Sequence, residues 1–324
     1  MDTSLPAPEP AHEPMAEADA LRRPLLVAAF SAPGNSTAAA ALALLAEGRE
    51  SRILAEIEPD EHYDFTVVRP LVRIEDGERV IDWPVVAFNR IALPERDVVV
   101  LTALEPHLRW KAFTRAVVAV AEEYGIREAV LLSAFNGATP HTRPAPLQWF
   151  PLSAAVRTWR FGLPPSAPRY QGPATFTMVL ATALRDAGIQ TGTLNAIAPF
   201  YVGLDPSPHA ARSLASALAS ELGVTVDLRA LDVQIGEVAR QAAQQARESE
   251  ALATFVANLE QQYDEARAQP AAATEGAAAP AGKHADASLP DAGAVLADVE
   301  ALLREHRGDA GGGGSGGGGR SRLA

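Results

Sequence analysis

Residues 98–134 read VVVLTALEPHLRWKAFTRAVVAVAEEYGIREAVLLSA, and this stretch decides the fold. Its two ends, 98–103 and 129–134, are short apolar runs, as expected of strands buried on both faces. Between them, residues 109–124 place Trp110, Phe113, Val117, Val120 and Tyr124 on one side of a helix. Strand, helix, strand is a βαβ unit, and its long crossover implies parallel pairing under a helical layer.

The alternation continues in both directions. Strands are expected at 25–30, 53–57, 85–89 and 193–198, and helices at 36–45, 175–186 and 207–222. Residues 22–268 therefore predict an α/β domain with a mostly parallel or mixed sheet between helices. Residues 67–74 and 80–81, around Glu75-Asp76-Gly77, interrupt the scheme and read as an inserted hairpin. From 233 to 263 the pattern is one long helix with a stripe of Leu252, Phe255, Val256, Leu259 and Tyr263. Packing on its own domain is the simpler reading; projection, or packing on another subunit, is the alternative.

The flanks differ in kind. Residues 1–21 are acidic and Pro-rich, with too little apolar surface to offset chain entropy, and read as a disordered arm. Residues 269–293 read as a Pro/Ala linker, 294–307 as a short amphipathic helix, and 308–324 as a flexible Gly-rich tail. The tail satisfies G-x-G-x-x-G and G-x-S-x-G only formally, since neither match lies between a strand and a helix.

The 324 residues carry a net charge of −12, of which −5 falls in 1–21, −5 in 22–267 and −2 beyond. With no basic stripe to neutralise phosphates, a nucleic-acid partner is not expected. Cysteine is absent, which excludes disulfides, thiolate nucleophiles and sulfur-ligated metal sites. No long apolar run or signal-like start is visible, so the expected location is the cytoplasm, away from membranes.

Candidate chemistry lies in the loops that follow strands. Glu105 begins the segment EPHLRW and suits a helix N-terminus. In Pro140-His141-Thr142-Arg143-Pro144 two prolines stiffen a loop carrying a titratable imidazole and a guanidinium fork. That loop reads either as an anion pocket or as a structural brace with Glu105 as the partner of Arg143. Asp60, His62, Tyr63, Asp64 and Arg69 form a third polar cluster, better suited to an Arg/Asp brace than to a metal. Gly172-Pro173 reads as a helix start. There is no P-loop, dinucleotide fingerprint, H-E-x-x-H or serine elbow, so no catalytic site is assembled and no cofactor or metal is expected.

Taken in order, these residues resemble a known family. Asp60 to Asp64 with Arg69-Pro70, Glu105-Pro106 with Trp110 and Phe113, PHTRP at 140–144, Tyr170-Gln171-Gly172-Pro173, Pro199-Phe200-Tyr201-Val202 and LEQQYD at 259–264 are similar to the proteasome assembly chaperone 2 family in its actinobacterial form. The resemblance covers roughly residues 22–267. It implies a three-layer α/β/α sandwich of the nucleoside-phosphorylase type and a homo-oligomer, a trimer among its options, with a chaperone-like binding role without known catalysis. The partner would be a further copy or another protein. Phe200 stands where the family pattern has a His, Ala174-Thr175-Phe176 replaces a Thr-Gly-Ile pattern, and the chain ends Arg322-Leu323-Ala324, without the hydrophobic-Tyr-any terminus of proteasome-docking relatives. Arg69, Glu105, Trp110, His141, Thr142, Arg143 and Tyr201 are the candidate ligand or partner residues. The alternative is a protein or enzyme for a nucleoside-like or anionic small molecule, using His141 and Arg143.

Overall fold

The structure, a computed structural model, describes residues 20–153 and 160–268. In chain order the first elements are β1 (Leu25–Ser31), α1 (Thr37–Ala46), β2 (Ser51–Ile57), β3 (Leu71–Glu75), β4 (Glu78–Asp82), β5 (Val86–Ala92), β6 (Asp97–Leu104) and α2 (Trp110–Glu123). Then come β7 (Glu128–Gly137), β8 (Leu147–Pro151), α3 (Phe176–Asp186), β9 (Gln190–Pro199), α4 (Pro208–Leu222), α5 (Arg229–Glu248) and α6 (Glu250–Ala268). The expected linker, short helix and tail, and the expected arm up to residue 19, lie outside the described residues.

Seven strands form one mixed sheet in the order β2-β5-β6-β1-β7-β9-β8. β6, β1, β7 and β9 run parallel, while β5 and β8 are antiparallel to their neighbours. The period of two along β1 sorts the core into two layers. Leu25, Val27 and Ala29 pack with Leu42 of α1 and Leu214 of α4, whereas Leu26, Ala28 and Phe30 pack with Val117 of α2 and Leu180 of α3. This is the expected α/β/α sandwich.

Three local features depart from the sequence reading. β8 was not anticipated: its LQWFP is short and ends in proline, and it is held because Trp149 lies on Gly192 of β9, where a Cβ would stand 2.1 Å from the ring. The long helix is two, broken at Ser249, whose extended backbone ends α5 and whose Oγ accepts the Leu252 N–H to open α6. Pro173 precedes α3 by three residues instead of starting it; Thr175 is the N-cap and accepts the Met178 N–H. The hairpin is present as β3 and β4, a separate two-stranded ribbon turning at Asp76 and Gly77, both with positive φ as a tight two-residue loop requires.

The connections define one special edge. β1 leaves through α1 towards β2, and β6 leaves through α2 towards β7, so adjacent parallel strands part in opposite directions on opposite faces. The gap beyond their carboxyl ends is the topological switch point, where open α/β sheets hold ligands.

Candidate functional site

The residues selected from the sequence divide into two groups along this carboxyl edge. The first lines the switch-point crevice, about 240 Å³, formed by Ser31 at the end of β1 and Pro33 beyond it, Glu105, His107 and Trp110 after β6, and Val68 from the β2–β3 connection. Backbone bonds set its floor: Glu105 N–H donates to Ser31 O at 2.7 Å, and His107 and Leu108 N–H both donate to His62 O. The Tyr63 hydroxyl donates to Leu104 O at 2.8 Å, and burial pushes its pKa up.

Glu105 does not meet Arg143. One of its oxygens accepts the Phe176 N–H at 3.1 Å, so it serves the first turn of α3 across the sheet edge and not its own helix. Those N-terminal N–H groups lack intrahelical acceptors, which is why a carboxylate suits the position. The second oxygen has no partner among the described residues. Trp110 donates its indole N–H to Pro106 O and stacks edge-on against Phe176, which also touches Phe113 and Phe30. The Glu105-Pro106…Trp110…Phe113 pattern thus builds an aromatic joint between α2, α3 and β1.

The 60–69 cluster is structural, though not by the expected brace. His62 is buried against the Phe113 ring, and Asp64 accepts from the Thr66 N–H and hydroxyl, which holds its carboxyl below the usual range. Arg69 is exposed beside the crevice and pairs with no carboxylate among the described residues. No three metal-ligating side chains converge among the described residues.

The second group clasps α6. The Tyr201 hydroxyl accepts the His141 N–H at 2.8 Å and lies 2.6 Å from His141 Nδ1, an arrangement that fits Nδ1 as acceptor with the ring proton on Nε2. Burial pushes the Tyr201 phenol up to about 12 and His141 below the ordinary imidazole value. Arg143 forms a two-pronged pair with Asp264, and Glu260 lies 3.5 Å from its guanidinium. The Thr142 hydroxyl donates to Glu260, and the Tyr263 hydroxyl donates to Pro144 O at 3.0 Å. Leu259 and Phe255 pack on Tyr201, and Phe200 lies edge-on against Phe255. PHTRP and LEQQYD are therefore two halves of one joint, and the Phe at 200 fills it with apolar contact.

Sequence reasoning passed over His209, at the start of α4. It is only 3% exposed, neither ring nitrogen has a well-aligned hydrogen-bond partner, and burial lowers its pKa to about 4. The signal available was Ser207-Pro208-His209, a serine at the N-cap position and a first-turn proline preceding an imidazole.

The class defined so far is an α/β/α sandwich whose polar edge residues bind one another. The PAC2 family profile matches residues 26–246, and the chain belongs to that family. A PAC2 family protein from Streptomyces avermitilis is 30% identical over 72% of this chain and 99% of its own, with a TM-score of 0.64. A Mycobacterium tuberculosis proteasome-assembly chaperone homologue is 33% identical over 72% and 99%, TM-score 0.62. The fold extends to a Pyrococcus furiosus archaeal proteasome activator, 15% identical over 69% and 93%, TM-score 0.54. No curated protein gives a significant match.

Proposed function

We propose that this PAC2 family protein is a chaperone-like, non-enzymatic binding or assembly protein, acting in the cytoplasm as a homo-oligomer. The observation that carries the reading is how the polar side chains of the carboxyl edge are spent. Arg143 is taken by Asp264, His141 by Tyr201, and one oxygen of Glu105 by the Phe176 N–H, so they brace elements instead of converging on a substrate. A small-molecule site built on His141 and Arg143 would need an open fork and a chargeable imidazole. The fork is occupied, and burial disfavours the imidazolium.

The Mycobacterium tuberculosis relative supports a protein partner, either further copies of this chain or another polypeptide. The reading requires no cofactor, nucleic acid or membrane. Its test is affinity capture of the full chain beside a thermal-shift screen with nucleosides and inorganic phosphate. A protein recovered in fixed ratio, or self-association, with no ligand-induced shift is the expected result. A clear shift with a nucleoside or phosphate that Arg143→Ala abolishes would contradict it.

A further inference from the structure

The polar groups around the switch-point crevice are largely occupied by one another. His107 Nδ1 accepts the Asp64 N–H at 3.2 Å, the Asp64 carboxyl accepts from Thr66, and Arg109, beside Trp110, pairs with Glu61. The Ser31 hydroxyl reaches Ala103 O at 3.5 Å, and a hydroxyl that donates still has lone pairs to offer. Glu105 is the exception. One oxygen accepts the Phe176 N–H at 3.1 Å, and the other has no partner among the described residues. The rest of the lining is apolar, with Pro33, Val68, Leu104 and Pro106, and neither Lys nor Arg belongs to it. Arg69, next in sequence to Val68, is exposed and does not reach the carboxylate.

We propose that this crevice binds a small organic cation, a guanidinium on a short alkyl stem, between the Glu105 carboxylate and the Trp110 ring. The ring is held in place from two sides. Its indole N–H donates to Pro106 O, and it stands edge-on to Phe176 at 5.5 Å. A fixed indole is the best aromatic partner for a cation, and a guanidinium, planar and weakly hydrated, can stack on it while donating to a carboxylate oxygen. The apolar walls would cover the stem. At about 240 Å³ the crevice is smaller than the roughly 300–1,000 Å³ of pockets for drug-sized ligands, so it suits one such group and not a nucleoside. An anion would meet the Glu105 charge with no lining cation to offset it. The chain's net charge of −12 also favours a cation's approach, and the position is the one where open α/β sheets hold ligands. The proposal goes beyond the binding role argued above and does not depend on it.

The test is a fluorine NMR titration of the full chain labelled with 5-fluorotryptophan, the Trp110 signal being assigned as the one lost in Trp110→Phe. The probes are butylguanidinium, its neutral isostere butylurea, and butyrate. Butylguanidinium is expected to move the Trp110 signal saturably in the millimolar range, and the other two to leave it in place. Glu105→Gln, checked for folding by circular dichroism, should weaken the guanidinium at least about tenfold, since a charge-assisted bond becomes a neutral one. Arg69→Ala, at an exposed position, gives a second reading that does not touch the lining. Removing a like charge beside the site should tighten the guanidinium by about two- to fivefold. Butylurea binding as well as butylguanidinium, or an unchanged affinity in Glu105→Gln, would overturn the proposal. So would a shift with butyrate that Arg69→Ala abolishes. If acetyl-Gly-Arg-Gly-amide binds more than about tenfold tighter than butylguanidinium, the cation belongs to a partner polypeptide and the free-ligand assignment fails.

Discussion

Arg143 grips Asp264 across 121 residues of chain, with Nε to Oδ1 at 3.1 Å and Nη2 to Oδ2 at 2.8 Å. The contact ties the loop after β7 to α6, the last described helix, and α6 in turn covers Tyr201 at the end of β9. The side chains are 33% and 54% exposed, so the pair is a screened surface contact and not the buried brace with Glu105 that the sequence suggested.

Arg143→Ala should therefore loosen α6 without unfolding the domain. Amide exchange is expected to quicken across residues 250–268 and stay unchanged in β1 and β6. The wild-type protection of α6 should also weaken at high salt. Faster exchange throughout the central sheet would show that the pair supports the core.

Glu105→Ala removes the acceptor for the Phe176 N–H and should cost about 1 kcal/mol, whereas Glu105→Gln, which keeps an oxygen there, should cost less. Because Glu105 and Arg143 do not touch, the double change to Ala should be additive within about 0.5 kcal/mol in urea denaturation. Marked coupling between them would restore the brace.

His209 sets an acid limit on stability. Its pKa falls from 6.5 to about 4 on folding, so between those values the unfolded chain binds more protons. Stability is thus lost as pH falls from 6.5 towards 4, by about 3 kcal/mol if the whole shift is realised. His141, also lowered by burial, acts with the same sign. His209→Leu should flatten the dependence and leave stability at pH 7 within about 1.5 kcal/mol of wild type. An unchanged slope in the variant would assign the acid sensitivity elsewhere.

Gly192→Ala should destabilise by about 1–3 kcal/mol, since the new methyl group must displace Trp149 from β9. Trp149→Phe in the same background should recover part of that loss. A neutral Gly192→Ala would mean that β8 is not held by this contact.

The sandwich was legible because short, continuous apolar runs, buried on both faces, alternate with period-3.6 helical stripes. The ribbon was legible from Asp76-Gly77. β8 escaped because a five-residue strand ending in proline carries too little pattern of its own, and its reason for existing, Gly192, lies about forty residues on. The break at Ser249 was readable in principle, as serine followed by glutamate is helix-start chemistry, but an unbroken polar and alanine-rich pattern masked it. His141, Thr142, Arg143 and Tyr201 stood out in the sequence and meet in the joint, yet Arg143 was expected on Glu105 and pairs with Asp264. Both Glu105 and Asp264 are carboxylates, and only the path of α6 decides which one is within reach.

The proposed function requires that the chain self-associate while its edge residues brace the fold. Light scattering of the full wild-type chain at micromolar concentration tests it most directly. An integral multiple of the chain mass that persists on dilution within that range is expected. A single-chain mass throughout would contradict it.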